Sequence, residues 1–119
     1  MPDGTRILVL DDEHELLDAL MLFLEGRGFQ VLPTTDAAAA SEMIAGGHAD
    51  LAIIDIGEHG LRLLREATTR NIPSILISGR PVIFEIGGIG DVLQKPFPFS
   101  ALAERIDAVL RRYSPMMIR

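Results

Sequence analysis

The side chains of this chain that could do chemistry together are a run of three acids, Asp11, Asp12 and Glu13, a lone Asp55, the hydroxyl of Ser78, and Lys95 followed by Pro96. Three carboxylates brought to one place repel one another, by roughly 4 kcal/mol for a pair about 4 Å apart at an effective dielectric near 20. Such a cluster needs positive charge. Lys95 offers one unit, and a hard divalent cation with oxygen ligands and retained waters would offset most of the rest, so Mg²⁺ is the expected cofactor. A carboxylate held beside Mg²⁺ and an ammonium group is placed to attack phosphorus, because charge on the transferring oxygens is then neutralised in the transition state. Asp55 is the expected nucleophile. Ser78 can donate to one phosphoryl oxygen and Lys95 can pair with another.

These residues cooperate only if the fold brings them together, and the hydrophobic pattern says how. Arg6 to Leu10 (RILVL) reads as a strand buried on both faces that runs straight into the acids. His14 to Glu25 carries Leu17, Leu20, Met21 and Leu24 at helical spacing, with Gly26 and Gly28 as stop signals. Phe29 to Leu32 is a second strand, expected to stop at Pro33, and Asp36 can cap an alanine-rich helix that ends before Gly46 and Gly47. Asp50 to Ile56 (DLAIIDI) is a third strand, Leu61 to Arg70 a third helix, Ser74 to Ile77 a fourth strand and Val92 to Leu93 a weaker fifth. Gly79 to Asp91 (GRPVIFEIGGIGD) is too rich in glycine for a long regular helix, so a fourth helix there is expected to be short or irregular. Pro98 can open the last helix, whose apolar residues recur from Phe99 to Leu110.

Strands alternating with helices predict a doubly wound α/β fold: a five-stranded parallel sheet covered on both faces, in the flavodoxin-like order 2-1-3-4-5. Such sheets bind ligands beyond the carboxyl ends of their strands, at the point where strand order reverses. Asp11 and Asp12, Asp55, Ser78 and Lys95 all fall at strand ends. An acidic pair after a strand, taken alone, is as readily a solvated turn, and a lysine before a proline is usually a surface residue. The weight lies in their conjunction on one rim.

The remaining sequence narrows the function classes. With 119 residues there is room for a single domain spanning residues 1–119. The net charge of −6 repels phosphate backbones and anionic membranes, so neither nucleic acid nor a membrane is an expected partner. Cysteine is absent, which removes disulfides, thiolate metal sites and a thiol nucleophile, and no apolar run is long enough to span a bilayer. A cytoplasmic location is expected. His14, His48 and His59 lie at a helix start and in two polar loops without a partner at ligand spacing, so they are expected on the surface and not as metal ligands.

ILVLDDE, IIDIG, ILISG and QKPF together resemble the receiver domains of bacterial two-component response regulators, over nearly the whole chain. The resemblance implies that Asp12 is a direct Mg²⁺ ligand, that Asp11 helps mainly through water, that Asp55 is the phospho-acceptor and that the Gly57 carbonyl completes the protein ligands. Ser78 would be the switch hydroxyl and Lys95 the phosphoryl-binding lysine, with a cis peptide before Pro96. The chain would then be no turnover enzyme but a stand-alone, partly degenerate receiver. It would take its phosphoryl group from a sensor histidine kinase or a phosphotransfer protein and switch its contacts with a downstream protein partner.

Departures from that pattern mark where this chain differs. Asp55 is followed by IGEHG, without the family's usual Met-Pro pair, and Gly60 comes early. Val92 stands three residues before the lysine, where the family commonly carries a tyrosine or phenylalanine that rotates on activation. Gly57 and Arg80 flank the expected phosphoryl site, with Glu58 close by and able to pair with Arg80 or Lys95 in the resting state. The alternative reading is a receiver-like fold that serves as a protein-interaction module and is never phosphorylated. An aspartate-nucleophile phosphohydrolase would want a second acid two residues after Asp55, where Gly57 stands, and a flavodoxin-like nucleotide binder would want a phosphate loop where DDE stands.

Overall fold

The apolar runs form the strands, and what surrounds them decides where they stop. In the computed structural model, which describes residues 4–57, 59–80 and 91–113, the order is β1 (Arg6–Leu10), α1 (His14–Gly26), β2 (Gln30–Thr34), α2 (Ala37–Ala45), β3 (Leu51–Asp55), α3 (Gly60–Thr69), β4 (Ser74–Ser78), β5 (Asp91–Gln94) and α4 (Phe99–Tyr113). All pairings are parallel, in the order β2-β1-β3-β4-β5. The doubly wound α/β sheet expected from the sequence is thus present. The short or irregular helix expected after Gly79 falls on residues 81–90, outside the described residues.

Alternation along each strand splits the core in two. Ile7, Val9, Leu51, Ile53, Ile75 and Ile77 point to one face and pack against Leu20 and Leu24 of α1 and Leu102, Ile106 and Val109 of α4. Leu8, Leu10, Ala52, Ile54 and Leu76 point to the other, against Ala40 and Ile44 of α2 and Leu63, Leu64 and Ala67 of α3. Most of these side chains are completely buried, each valine, leucine or isoleucine contributing about 1.5–3 kcal/mol. The inner runs Ile7–Leu10, Leu51–Ile54 and Ile75–Ile77 are apolar at every position because helices cover both faces of β1, β3 and β4.

Several element ends shift by a residue from the sequence expectation, and the extensions of β2 and β5 follow from sheet position. β2 does not stop at Pro33 but continues through it to Thr34. It is an edge strand, and the hydrogen bonds from Gln30 N to Thr5 O and from Asp11 N to Thr34 O show that even-numbered residues of β2 face β1. Pro33 therefore turns its missing N–H outward, where no ladder bond is lost. β5 spans four residues because Asp91 and Gln94 pair with Ile75 and Ser78. Asp36 caps α2 as expected, its side chain accepting from Ala38 N, while Pro98 stands just before α4 and its carbonyl accepts from Ala101 N.

Candidate functional site

Strand order reverses between β1 and β3, since the chain goes from β1 out to β2 and then returns to the far side of β1. A crevice must open at the carboxyl ends there, and a pocket of about 190 Å³ does, lined by Asp11, Asp12, Thr35, Asp55, Gly57 and His59. Asp55 ends β3, opposite Ile77, and the next amide, Ile56 N, still donates to Ile77 O at 2.9 Å. Asp11 follows β1 directly, its amide tied to Thr34 O at 3.2 Å. Lys95 follows β5, and its amide donates to Ser78 O at 2.7 Å. Each side chain is aimed by a strand that cannot slip without breaking its ladder.

Carboxylate oxygens of Asp11, Asp12 and Asp55 lie within 4.8 Å of one another. Lys95 Nζ reaches Glu13 Oε1 at 2.6 Å, Asp11 Oδ2 at 2.9 Å and Asp55 Oδ2 at 3.5 Å. Among the described residues four carboxylates thus gather at this rim, and Lys95 touches three of them. Asp11 is wholly buried, with Oδ1 accepting from Glu13 N at 2.8 Å. Its Oδ2 meets Lys95 Nζ as an ion pair, and among the described residues this oxygen has no hydrogen-bond donor. A buried carboxylate oxygen without a donor, beside two further carboxylates, fits an oxygen-seeking cation.

Electrostatics follow from this crowding. Burial first, then the charge of Asp11 and to a lesser degree that of Asp12, push the Asp55 carboxyl above its ordinary value, and Lys95 recovers only part of the difference. Burial alone would lower Lys95. Its hydrogen bond to Glu13, its close ion pair with Asp11 and the charge of Asp55 outweigh that and hold the ammonium above the ordinary lysine range. Lys95 is a firm cation, and Asp55 is a carboxylate that gains from any added positive charge.

Ser78 is brought to the same end of the sheet but faces elsewhere. Its hydroxyl donates to Arg80 O at 2.7 Å and accepts from Arg80 N at 3.1 Å. Arg80 is exposed and meets the rim through this turn, and Glu58 lies outside the described residues. The partner taken by Lys95 on the helix side is Glu13, a contact that spacing alone did not reveal. Gly57 lines the pocket, its carbonyl accepting from Gly60 N at 3.1 Å. Lys95–Pro96 is cis, as the resemblance implied.

Three further residues were not legible as parts of the site. Thr35 and His59 reach it because the loops after β2 and β3 fold over the crevice. His59 is exposed as expected, yet it stands on the pocket wall. Gly60 has a steric role: a Cβ there would lie 2.7 Å from the Asp55 carbonyl oxygen. The shortened IGEHG loop starts α3 directly against the main chain of Asp55, which only glycine permits. The early glycine in the sequence was the signal.

Comparison with known proteins agrees with this geometry. Residues 7–107 match the family model of the response regulator receiver domain. The phosphate regulon transcriptional regulatory protein PhoB of Klebsiella pneumoniae is 34% identical over 125 aligned residues, covering 95% of this chain and 55% of that protein. A response regulator receiver protein from Sinorhizobium medicae superposes with a TM-score of 0.82 at 28% identity, over 91% of this chain and 95% of the other. The response regulator protein TrrA from Thermotoga maritima, solved in complex with Mg²⁺-BeF, superposes with a TM-score of 0.79 at 25% identity, over 89% and 99% of the two chains. The chain spans about half the length of the curated relatives it matches. Among the described residues no helix is long and apolar enough to cross a membrane.

Proposed function

This chain belongs to the response regulator receiver family, and from that premise we propose that it relays signals by accepting a phosphoryl group on Asp55 from a phosphohistidine of a sensor kinase or phosphotransfer protein. The observation that carries the reading is the placement of Asp55 at the open end of β3. Its carboxylate lines the crevice beside Asp11 and Asp12, with Lys95 Nζ at 3.5 Å.

An Asp55 oxygen attacks phosphorus. The new O–P bond forms as the N–P bond of the donor breaks, and the electron pair returns to the donor's ring nitrogen, leaving an acyl phosphate on Asp55. Lys95 counters charge on one phosphoryl oxygen, and the strand ladders keep nucleophile and ammonium in register, so little reorganisation is needed. Ser78 supplies a donor to a second oxygen once its hydroxyl leaves the Arg80 carbonyl, and that exchange is the movement passed on to a downstream protein partner. Asp11, Asp12 and Asp55, with the Gly57 carbonyl, would hold Mg²⁺. Bound there, the ion supplies positive charge against the carboxylate cluster and the incoming phosphoryl oxygens.

Intact-mass measurement after incubation with Mg²⁺ and acetyl phosphate tests the reading. One phosphoryl group, stable in acid and labile in base, is expected on the wild type and none on Asp55→Asn. A wild type that stays unmodified would leave the fold as an unphosphorylated interaction module.

A further inference from the structure

We propose that Glu13 is a positioning residue for Lys95: it holds the ammonium on the α1 side of the crevice and gives it up when an anion occupies the space in front of Asp55. This rests on the acceptor reading and adds a residue to it.

The order of contacts is the first support. Lys95 Nζ is nearest to Glu13, at 2.6 Å, then Asp11 at 2.9 Å, and is farthest from Asp55, at 3.5 Å. The lysine in the free domain is therefore committed mainly to carboxylates other than Asp55.

Glu13 is also held so that it can do this. It is the residue before the first turn of α1, where an acidic side chain gains by turning to the free amides and the positive end of the helix. Yet its side chain makes no capping hydrogen bond. Its main chain is pinned by Asp11 Oδ1, which accepts from Glu13 N at 2.8 Å, and the carboxylate goes to Lys95 instead. One aspartate thus sets the base from which Glu13 reaches the lysine.

Burial decides which partner yields. The Asp11 side chain is 0% exposed and that of Glu13 is 61% exposed. Taking Lys95 from Asp11 would strand a buried charge, whereas taking it from Glu13 leaves a carboxylate that water solvates at once. The shortest contact is therefore the cheapest to break. An anion before Asp55 draws on Lys95 at the expense of Glu13, so the Glu13 contact stabilises only the anion-free state and weakens anion binding by linkage.

The experiment is calorimetric titration of the intact chain with beryllofluoride in Mg²⁺, a stand-in for the phosphoryl group, as a double-mutant cycle over Glu13→Gln and Lys95→Met. Glu13→Gln is expected to tighten binding by about threefold, the scale of a half-exposed ion pair. In the Lys95→Met background the same substitution is expected to change little. An equal gain in both backgrounds would show a general effect of negative charge on the anion and overturn the role. Unchanged or weaker binding in Glu13→Gln with Lys95 present would overturn it as well. A wild type that binds no beryllofluoride overturns the acceptor reading itself, and the positioning role with it. Melting curves of each variant without ligand confirm that the folded protein is being titrated.

Discussion

The neighbouring strands β1 and β3 carry charge at both of their ends and treat it in opposite ways. At the amino ends Arg6 faces Asp50 one to one: Arg6 Nε and Nη2 donate to the two carboxylate oxygens at 3.2 and 3.1 Å, and Arg6 N adds a third bond at 2.8 Å. The Arg6 guanidinium, by hydrogen bond above all and against the opposing effect of burial, holds Asp50 below its ordinary value. At the carboxyl ends four carboxylates gather among the described residues and Lys95 touches three, and burial first, then the charge of Asp11, pushes Asp55 the other way. The same strands and the same kinds of side chain give a closed pair at one end and an unbalanced cluster at the other. Balance serves the fold, and imbalance leaves a site that gains from a cation or from losing the charge of Asp55.

The largest break in this comparison comes from removing the shared cation. Lys95→Met strands the buried Asp11 charge and should cost about 3 kcal/mol in urea unfolding at neutral pH, the scale for one partner lost from a buried pair. A cost no larger than that of Asp50→Asn would mean that the carboxyl-end cluster does not depend on Lys95.

A smaller effect of opposite sign is expected at Asp55. Its folded value is raised, so the native state holds the proton more tightly than the unfolded chain, and stability declines as pH rises from the ordinary 3.8 through the folded value. Asp55→Asn removes that penalty and should stabilise the fold by about 1 kcal/mol at neutral pH, with the gain vanishing in acid. Unfolding curves across the acid range decide it, and destabilisation at neutral pH would contradict the assigned crowding.

The smallest effect is at the amino ends. Asp50 is lowered, so its contribution is present above the ordinary 3.8 and is lost as pH falls through its folded value. Because the pair is half exposed, Asp50→Asn should move the midpoint only slightly, and the difference should shrink with added salt. Salt titration of the melting temperature checks both.

Much of this was legible because charge placement and strand ends coincide in the sequence. Short apolar runs such as ILVL and ILI, alternating with helical patterns, read as strands covered on two faces, and the polar and charged residues that follow them fall on one rim as soon as the strands are parallel. What could not be read was direction within that rim. The Ser78 hydroxyl turns to Arg80 because a tight turn follows β4, and Glu13 takes Lys95 because α1 begins one residue later; both depend on local geometry that residue type does not encode. The end of β2 was misplaced for a related reason. A proline interrupts a strand only where its amide is needed, and spacing alone does not tell an edge strand from a central one.

That proline also bears on how copies of the chain meet. The outer side of β2 offers a row of main-chain groups to any passing strand, and its outward residues are Val31 and Pro33. Pro33 removes one of the donors a docking strand would use and puts a ring where the strand would have to lie. Exposed sheet edges invite sheet-to-sheet growth unless something blunts them. Here the residue that first looked like the end of a strand leaves the outer edge of the sheet one donor short of the ladder that a neighbouring sheet would need.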